Sequence, residues 1–189
     1  MIDRILIEID RGLKVLSVSP SQNRERPDRD IRESSSLSSS EKIIHSKYMR
    51  VNHSGEVCAQ ALYRGQALTA KLGDTRTKME QAASEELDHL SWCNKRLEEL
   101  NNQPSILNPI WYGMSFSIGA IAGLIGDNWS LGFVHETEEQ VVKHLDGHMK
   151  NVSTNDNKTK AVMKQMREDE EAHGLTAREA GAEQCADPA

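Results

Sequence analysis

Six side chains have the types and the spacing to hold metal: Glu56, Glu86, His89, Glu138, Glu170 and His173. Glu86 with His89, and Glu170 with His173, form Glu-x-x-His units in which acid and imidazole share one side of a helix. A lone glutamate precedes each unit, Glu56 lying 30 residues before Glu86 and Glu138 lying 32 before Glu170. All of them fall inside apolar stripes. Glu56 is in line with Met49, Asn52, Ala59, Tyr63 and Ala67, and Glu86 and His89 with Met79, Ala82, Cys93 and Leu97. Glu138 is in line with Leu131, Val134, Val141 and Leu145, and Glu170 and His173 with Met163, Met166 and Ala177. Within the acidic run, Glu136 and Glu139 point about 200° and about 100° away from Glu138 around the helix. Glu85, Asp88, Glu136, Glu139, Asp169 and Glu171 are expected on solvated faces.

Four carboxylates and two imidazoles converging in a helical interior repel one another, and each loses several kcal/mol of solvation unless a cation neutralises the cluster. Two divalent ions bridged by carboxylates, each also bound by one histidine, resolve the conflict. Oxygen donors with imidazole suit iron or manganese, and one Glu from each of two helices plus Glu-x-x-His from the other two is the donor set of ferritin-like di-iron proteins. No His-Glu-x-x-His occurs, so a zinc protease is not supported. His135, His144 and His148 are expected in surface or hydrogen-bonded structural roles. Cys58 and Cys93 read as small core residues.

The elements that must position these groups are helices. With 189 residues, the chain has room for one domain and an appendage. Period-two runs of β-branched residues are absent and aromatic content is low, so the fold class is all-α, a four-helix bundle. Bundle helices are expected at Glu41 to Leu72, ended by Gly73, then Thr75 to Leu100, Leu131 to Met149 and Thr159 to Ala182. Residues 1–17 read as an amphipathic helix with Ile2, Ile5, Leu6, Ile9, Leu13 and Leu16 toward an apolar surface. The charged, serine-rich stretch 18–40 reads as a linker, 41–183 as the metal-binding domain and 184–189 as a tail.

A net charge of −6 argues against nucleic acid as a partner. Three cysteines without Cys-x-x-Cys spacing point to a reducing compartment, and the acidic N-terminus has no secretory signal pattern. Asn101 to Gly126 contains no Asp, Glu, Lys, Arg or His. A helix over Pro109 to Gly126 would measure about 27 Å, short of a bilayer's ~30 Å core, so spanning is not favoured. Two readings stand: a core helix packed closely through its glycines, or an additional apolar helix lying in a membrane interface, flanked by Trp111, Tyr112 and Trp129.

Met49-Arg50-Val51-Asn52-His53-Ser54-Gly55-Glu56, Glu86-Leu87-Asp88-His89, Pro109-Ile110-Trp111, Thr137-Glu138-Glu139-Gln140-Val141 and Glu170-Glu171-Ala172-His173 resemble the bacterial demethoxyubiquinol hydroxylases of ubiquinone biosynthesis. The resemblance covers about residues 41 to 183 and implies a ferritin-like fold with two irons. Glu56, Glu86 and His89 would hold one iron and Glu138, Glu170 and His173 the other, Glu86 and Glu170 bridging. It further implies hydroxylation of a polyprenyl methoxy-benzoquinol by O2 in a monooxygenase peripheral to the cytoplasmic face of a bacterial inner membrane. The implied partners are a lipid-soluble quinol, the membrane surface and other quinone-biosynthesis proteins. Relatives of this kind continue past the last Glu-x-x-His helix into a short amphipathic helix, where this sequence reads Gln184 to Ala189. The alternative on the same ligands is a rubrerythrin-like peroxidase or another ferritin-like iron protein.

Overall fold

In a computed structural model, which describes residues 2–17, 23–32 and 37–180, the regular structure of the described residues is entirely helical. In order these helices are α1 (Ile2–Ser17), α2 (Ser39–Thr69), α3 (Gly73–Glu99), α4 (Asn108–Ile125), α5 (Asp127–Asn151) and α6 (Asn157–Glu179). The tail 184–189, Ser34 to Ser36 and the side chains of Ile2 and Ile5 lie outside the described residues.

Local chemistry sets the ends. Ser38 starts α2 through a capping box with Glu41, so the helix opens at Ser39 rather than Glu41. Gly73 does not end α2, as its position suggested; α2 stops at Thr69 and Gly73 begins α3. Asp127 holds this corner, its carboxylate accepting from the backbone N–H groups of Lys71 and Leu72 at 3.1 and 2.7 Å. Asp156 caps α6 by accepting from Thr159 N–H at 2.9 Å.

Helices α2, α3, α5 and α6 form the bundle, with α2 packed along α3 and α5 along α6. Two apolar layers fill its interior. One contains Met49, Trp92, Leu97, Leu145, Met163 and Met166, the other Tyr63, Met79, Leu131, Val134 and Ala177. On each helix the ligand-type residues fall between these layers in sequence, so greasy side chains close the site at both ends.

Helix α4 bears out the close packing through glycines expected of the uncharged segment on one of its faces. Its glycine edge lies against α2 so closely that a Cβ on Gly119 would come within 2.1 Å of the Leu62 carbonyl oxygen, and one on Gly65 within 2.2 Å of that of Phe116. Its other face leaves Ile110, Met114, Ile118, Ile121 and Leu124 exposed.

Helix α1 leaves most of its apolar stripe uncovered by the described residues. Gly12 and Val15 are its buried positions, Gly12 against the Tyr112 ring, while Leu6, Ile9 and Leu13 of the apolar stripe are more than half exposed. The helix docks through Gly12, Val15 and the partly buried Leu16. Residues 23–32 of the expected linker form no regular element, yet they do not run free. Asp28 is buried, paired to Arg26 at 2.5 Å, and Arg26 also reaches Glu99 on α3 at 2.9 Å.

Candidate metal centre

Helical periodicity turns all six predicted side chains inward, and the packing brings them together. Glu56, Glu86, His89, Glu138 and Glu170 are buried and His173 is partly buried. One potential ligand atom from each of Glu56, Glu86, His89 and Glu170 lies within 4.8 Å of the others, and the same holds for Glu86, Glu138, Glu170 and His173. Glu86 and Glu170 belong to both groups, which suits two cations sharing bridging carboxylates.

The imidazoles present one edge to this cluster. His89 Nδ1 lies 2.9 Å from Glu170 Oε1 and 3.1 Å from Glu86 Oε2, and His173 Nδ1 lies 3.2 Å from Glu170 Oε2. Their far nitrogens are held by acids in a reciprocal pattern. His89 Nε2 donates to Asp169 at 2.9 Å, and His173 Nε2 donates to Glu85 at 2.6 Å. Glu85 precedes Glu86 and Asp169 precedes Glu170, so the acid before each Glu-x-x-His unit anchors the histidine of the other unit. These bonds orient the rings with Nδ1 toward the carboxylates.

Three acids expected on solvated faces thus do other work. Glu85 and Asp169 are the histidine anchors, and buried Asp88 accepts from the backbone N–H groups of Asn23 and Arg24 at 2.6 and 3.3 Å. Arg24 then spans Asp88 at 3.1 Å and Asp169 at 2.8 Å, with its guanidinium carbon 4.9 Å from the Trp92 ring centre. The sequence signal for Glu85 and Asp169 was the repeated acid-Glu-x-x-His; none marked Arg24. Glu136, Glu139 and Glu171 are exposed as expected. Of the remaining histidines, His135 donates to the Gly174 carbonyl at 3.0 Å and His148 to Asn52 Oδ1 at 2.8 Å.

The protonation balance shows what the cluster lacks. Burial, with Glu86 and Glu170 beside it, pushes Glu56 well above the usual carboxylate range, and burial with Glu170 does the same to Glu138. Burial opposes protonation of His89 and His173, but the surrounding carboxylates outweigh it and raise both imidazoles. Both Glu138 oxygens are buried without a hydrogen-bond partner among the described residues. The two imidazoles outweigh burial at Glu86 and hold it below the usual carboxylate range, but Glu56 and Glu138, which resist ionisation beside imidazoles that resist deprotonation, mark a site short of positive charge. Four ionised carboxylates balance two divalent cations with both imidazoles neutral, so the donor set fits a metal pair in number, type and charge.

Two clefts flank the cluster. Between α2 and α5 a space of about 420 Å³ reaches Glu56 past Asn52, Gly55 and Val141. Between α3 and α6 a second, of about 250 Å³, reaches His173 past Met79, Ala82 and Glu85.

A family model described as "Ubiquinone biosynthesis protein COQ7" matches residues 44–188. The chain belongs to the COQ7 family. That family is a ferritin-like helical bundle, in accord with the helices described above. Among its relatives, the 3-demethoxyubiquinol 3-hydroxylase of Azotobacter vinelandii (strain DJ / ATCC BAA-1303) is 53% identical over 180 residues, covering 95% of this chain and 83% of the relative. A protein of the same name from Pseudomonas putida (strain GB-1) is 50% identical over 186 residues, covering 95% of this chain and 84% of the relative. Another, from Chromobacterium violaceum, is 47% identical over 188 residues, covering the whole of this chain and 91% of the relative. These relatives do not favour the rubrerythrin-like alternative.

Proposed function

We propose that this COQ7-family chain is a di-iron hydroxylase that inserts one atom of O2 into the ring of 3-demethoxyubiquinol in ubiquinone biosynthesis, the other atom leaving as water with two electrons supplied by an external donor or by the quinol itself. The observation that carries the metal assignment is the pair of buried donor groups sharing Glu86 and Glu170, in a chain whose relatives are hydroxylases. Glu56, Glu86 and His89 would hold one iron, and Glu138, Glu170 and His173 the other. An iron pair supplies the electron transfer and Lewis acidity by which O2 is activated toward an aromatic C–H bond.

The chain's own residues do the rest. Glu85 and Asp169 keep the imidazoles in the tautomer and orientation that face the carboxylates. The apolar layers around Met163 and Tyr63 keep bulk water from the reacting atoms. The α2/α5 cleft gives a ring a path to Glu56.

A membrane position follows from the same reading. Leu6, Ile9 and Leu13 of α1 and Ile110, Met114, Ile118, Ile121 and Leu124 of α4 are large apolar residues left in the open. No helix of the described residues is long and apolar enough to cross a membrane. A chain lying on the cytoplasmic face of a bacterial inner membrane, with these faces among the lipids, would receive a polyprenyl quinol directly from the bilayer.

The test is anaerobic loading with Fe(II), metal analysis, and O2-dependent turnover of demethoxyubiquinol by the full chain. Two irons per chain and a hydroxylated product are expected, with both lost in Glu138→Ala and His173→Ala. Well under two irons, or variants as active as wild type, would overturn the assignment. Peroxide turnover without quinol hydroxylation would favour the peroxidase. Flotation with anionic vesicles should carry the chain, and Ile118→Glu with Ile121→Glu should leave it in solution.

A further inference from the structure

Asn52 lies one helical turn before Glu56 on α2 and is only 4% exposed. Its Oδ1 accepts a 2.8 Å hydrogen bond from His148 Nδ1 on α5, while its Nδ2 is buried with no acceptor among the described residues. Leaving such a donor unpaired is unfavourable, and most buried amides avoid it. Asn52 is also part of the wall of the α2/α5 cleft, next to Glu56. Val51, Val141 and Leu145 make that wall largely apolar, as the flanks of an aromatic ring require.

His148 fixes which way the amide faces. Its ring sits 4.6 Å from the Tyr48 ring centre and 4.1 Å from that of His144. Burial and the neighbouring His144 lower its pKa to about 4, so it is a neutral imidazole at physiological pH. Donating from Nδ1, it takes the Asn52 oxygen and leaves the NH2 end for another partner. A Cβ added at Gly55, between Asn52 and Glu56, would meet no atom within 4 Å, so this stretch of wall is open space.

We propose that Asn52 Nδ2 donates a hydrogen bond to an oxygen substituent of the substrate ring, seating the ring in the α2/α5 cleft beside Glu56, with His148 as the positioning residue for the amide. A quinol carries ring oxygens that accept such a bond, and Asn52 and Glu56 line the same cleft. The inference deepens the hydroxylase reading and depends on it.

The iron-loaded full chain, assayed with a short-tailed demethoxyubiquinol analogue, tests this. Asn52→Ala and Asn52→Asp should each raise KM about tenfold, equivalent to about 1.4 kcal/mol of binding, with iron content unchanged. His148→Phe should raise KM in the same direction, and His148→Gln, which keeps a donor for Oδ1, should restore it. Gly55→Leu replaces a helical glycine, a change that favours folding, and should abolish analogue turnover by filling the cleft while both irons remain bound. A wild-type KM, within twofold, in Asn52→Ala would overturn the inference while leaving the hydroxylase reading intact. So would loss of iron in parallel with loss of turnover, which would make Asn52 a purely structural residue. A wild-type enzyme that does not hydroxylate the analogue would overturn both.

Discussion

Replacing Glu138 by Gln should strengthen the metal-free protein and weaken the iron-loaded one. Glu138 is 1% exposed, and neither carboxylate oxygen has a partner among the described residues. Without metal the group must hold a proton or remain as a buried, unpaired charge. Burial and Glu170 raise its folded-state pKa above the ordinary value of 4.5. The folded state then binds more protons than the unfolded state, and this group's contribution to stability falls as pH rises above the unfolded pKa. The substituted amide cannot ionise and lacks that dependence. An unsatisfied buried polar group costs about 1–3 kcal/mol, and the amide keeps part of that cost, so the gain for Glu138→Gln should be about 1 kcal/mol at pH 8 and near zero at pH 5. For a chain of this length that is a rise in Tm of about 2–4 °C. Iron reverses the sign, because a ligand that binds only the folded state stabilises it by mass action and the amide is a poor ligand. Thermal unfolding at both pH values, with and without anaerobic Fe(II), measures all four conditions. A lower Tm for the metal-free variant at pH 8, or an equal rise with Fe(II) in both proteins, would refute the reasoning.

Arg24→Ala removes contacts to Asp88, Asp169 and Trp92, but the Arg24 side chain is 42% exposed, so stability should fall by no more than about 1 kcal/mol. Its larger effect should be on iron, since Asp169 anchors His89; an Fe(II) titration should show affinity down about tenfold. Gly119→Ala places a methyl 2.1 Å from the Leu62 carbonyl and must push α4 off α2. That should cost about 2 kcal/mol despite alanine's better helix propensity, seen as an earlier midpoint in urea unfolding. Asp156→Asn weakens a fully buried carboxylate that takes bonds from His45 at 2.6 Å, Arg96 at 2.6 Å and Thr159 N–H at 2.9 Å. A loss of about 3 kcal/mol is expected from calorimetry, with iron stoichiometry unchanged because the network involves none of the six metal ligands proposed above.

The six inward side chains were legible because each helix is long enough for its apolar stripe to be unambiguous, and a charged residue inside a stripe has only one side to face. Met163, Met166 and Ala177 mark that side for Glu170 and His173 as plainly in the sequence as in the packed bundle. Glu85, Asp88 and Asp169 were misplaced for a related reason. Each sits off its stripe, where periodicity assigns solvent, and only the nearness of another element makes that position interior. The α1 stripe is a different case: Leu6, Ile9 and Leu13 form an apolar face that the described residues leave exposed, and nothing in an amphipathic period states what covers it.

Residue types and helical spacing therefore determined the all-α class, the inward turn of the six donors and the glycine edge of α4, because each depends on the 3.6-residue period of a single helix. Tertiary structure alone decided that Glu85 holds His173, that Asp169 holds His89, that Arg24 closes over both Asp88 and Asp169, and that Asn52 on α2 meets His148 on α5. Those pairings join residues 64 to 145 positions apart. A period gives a side chain its angle about one axis, and only the packing of a second axis against it supplies the partner.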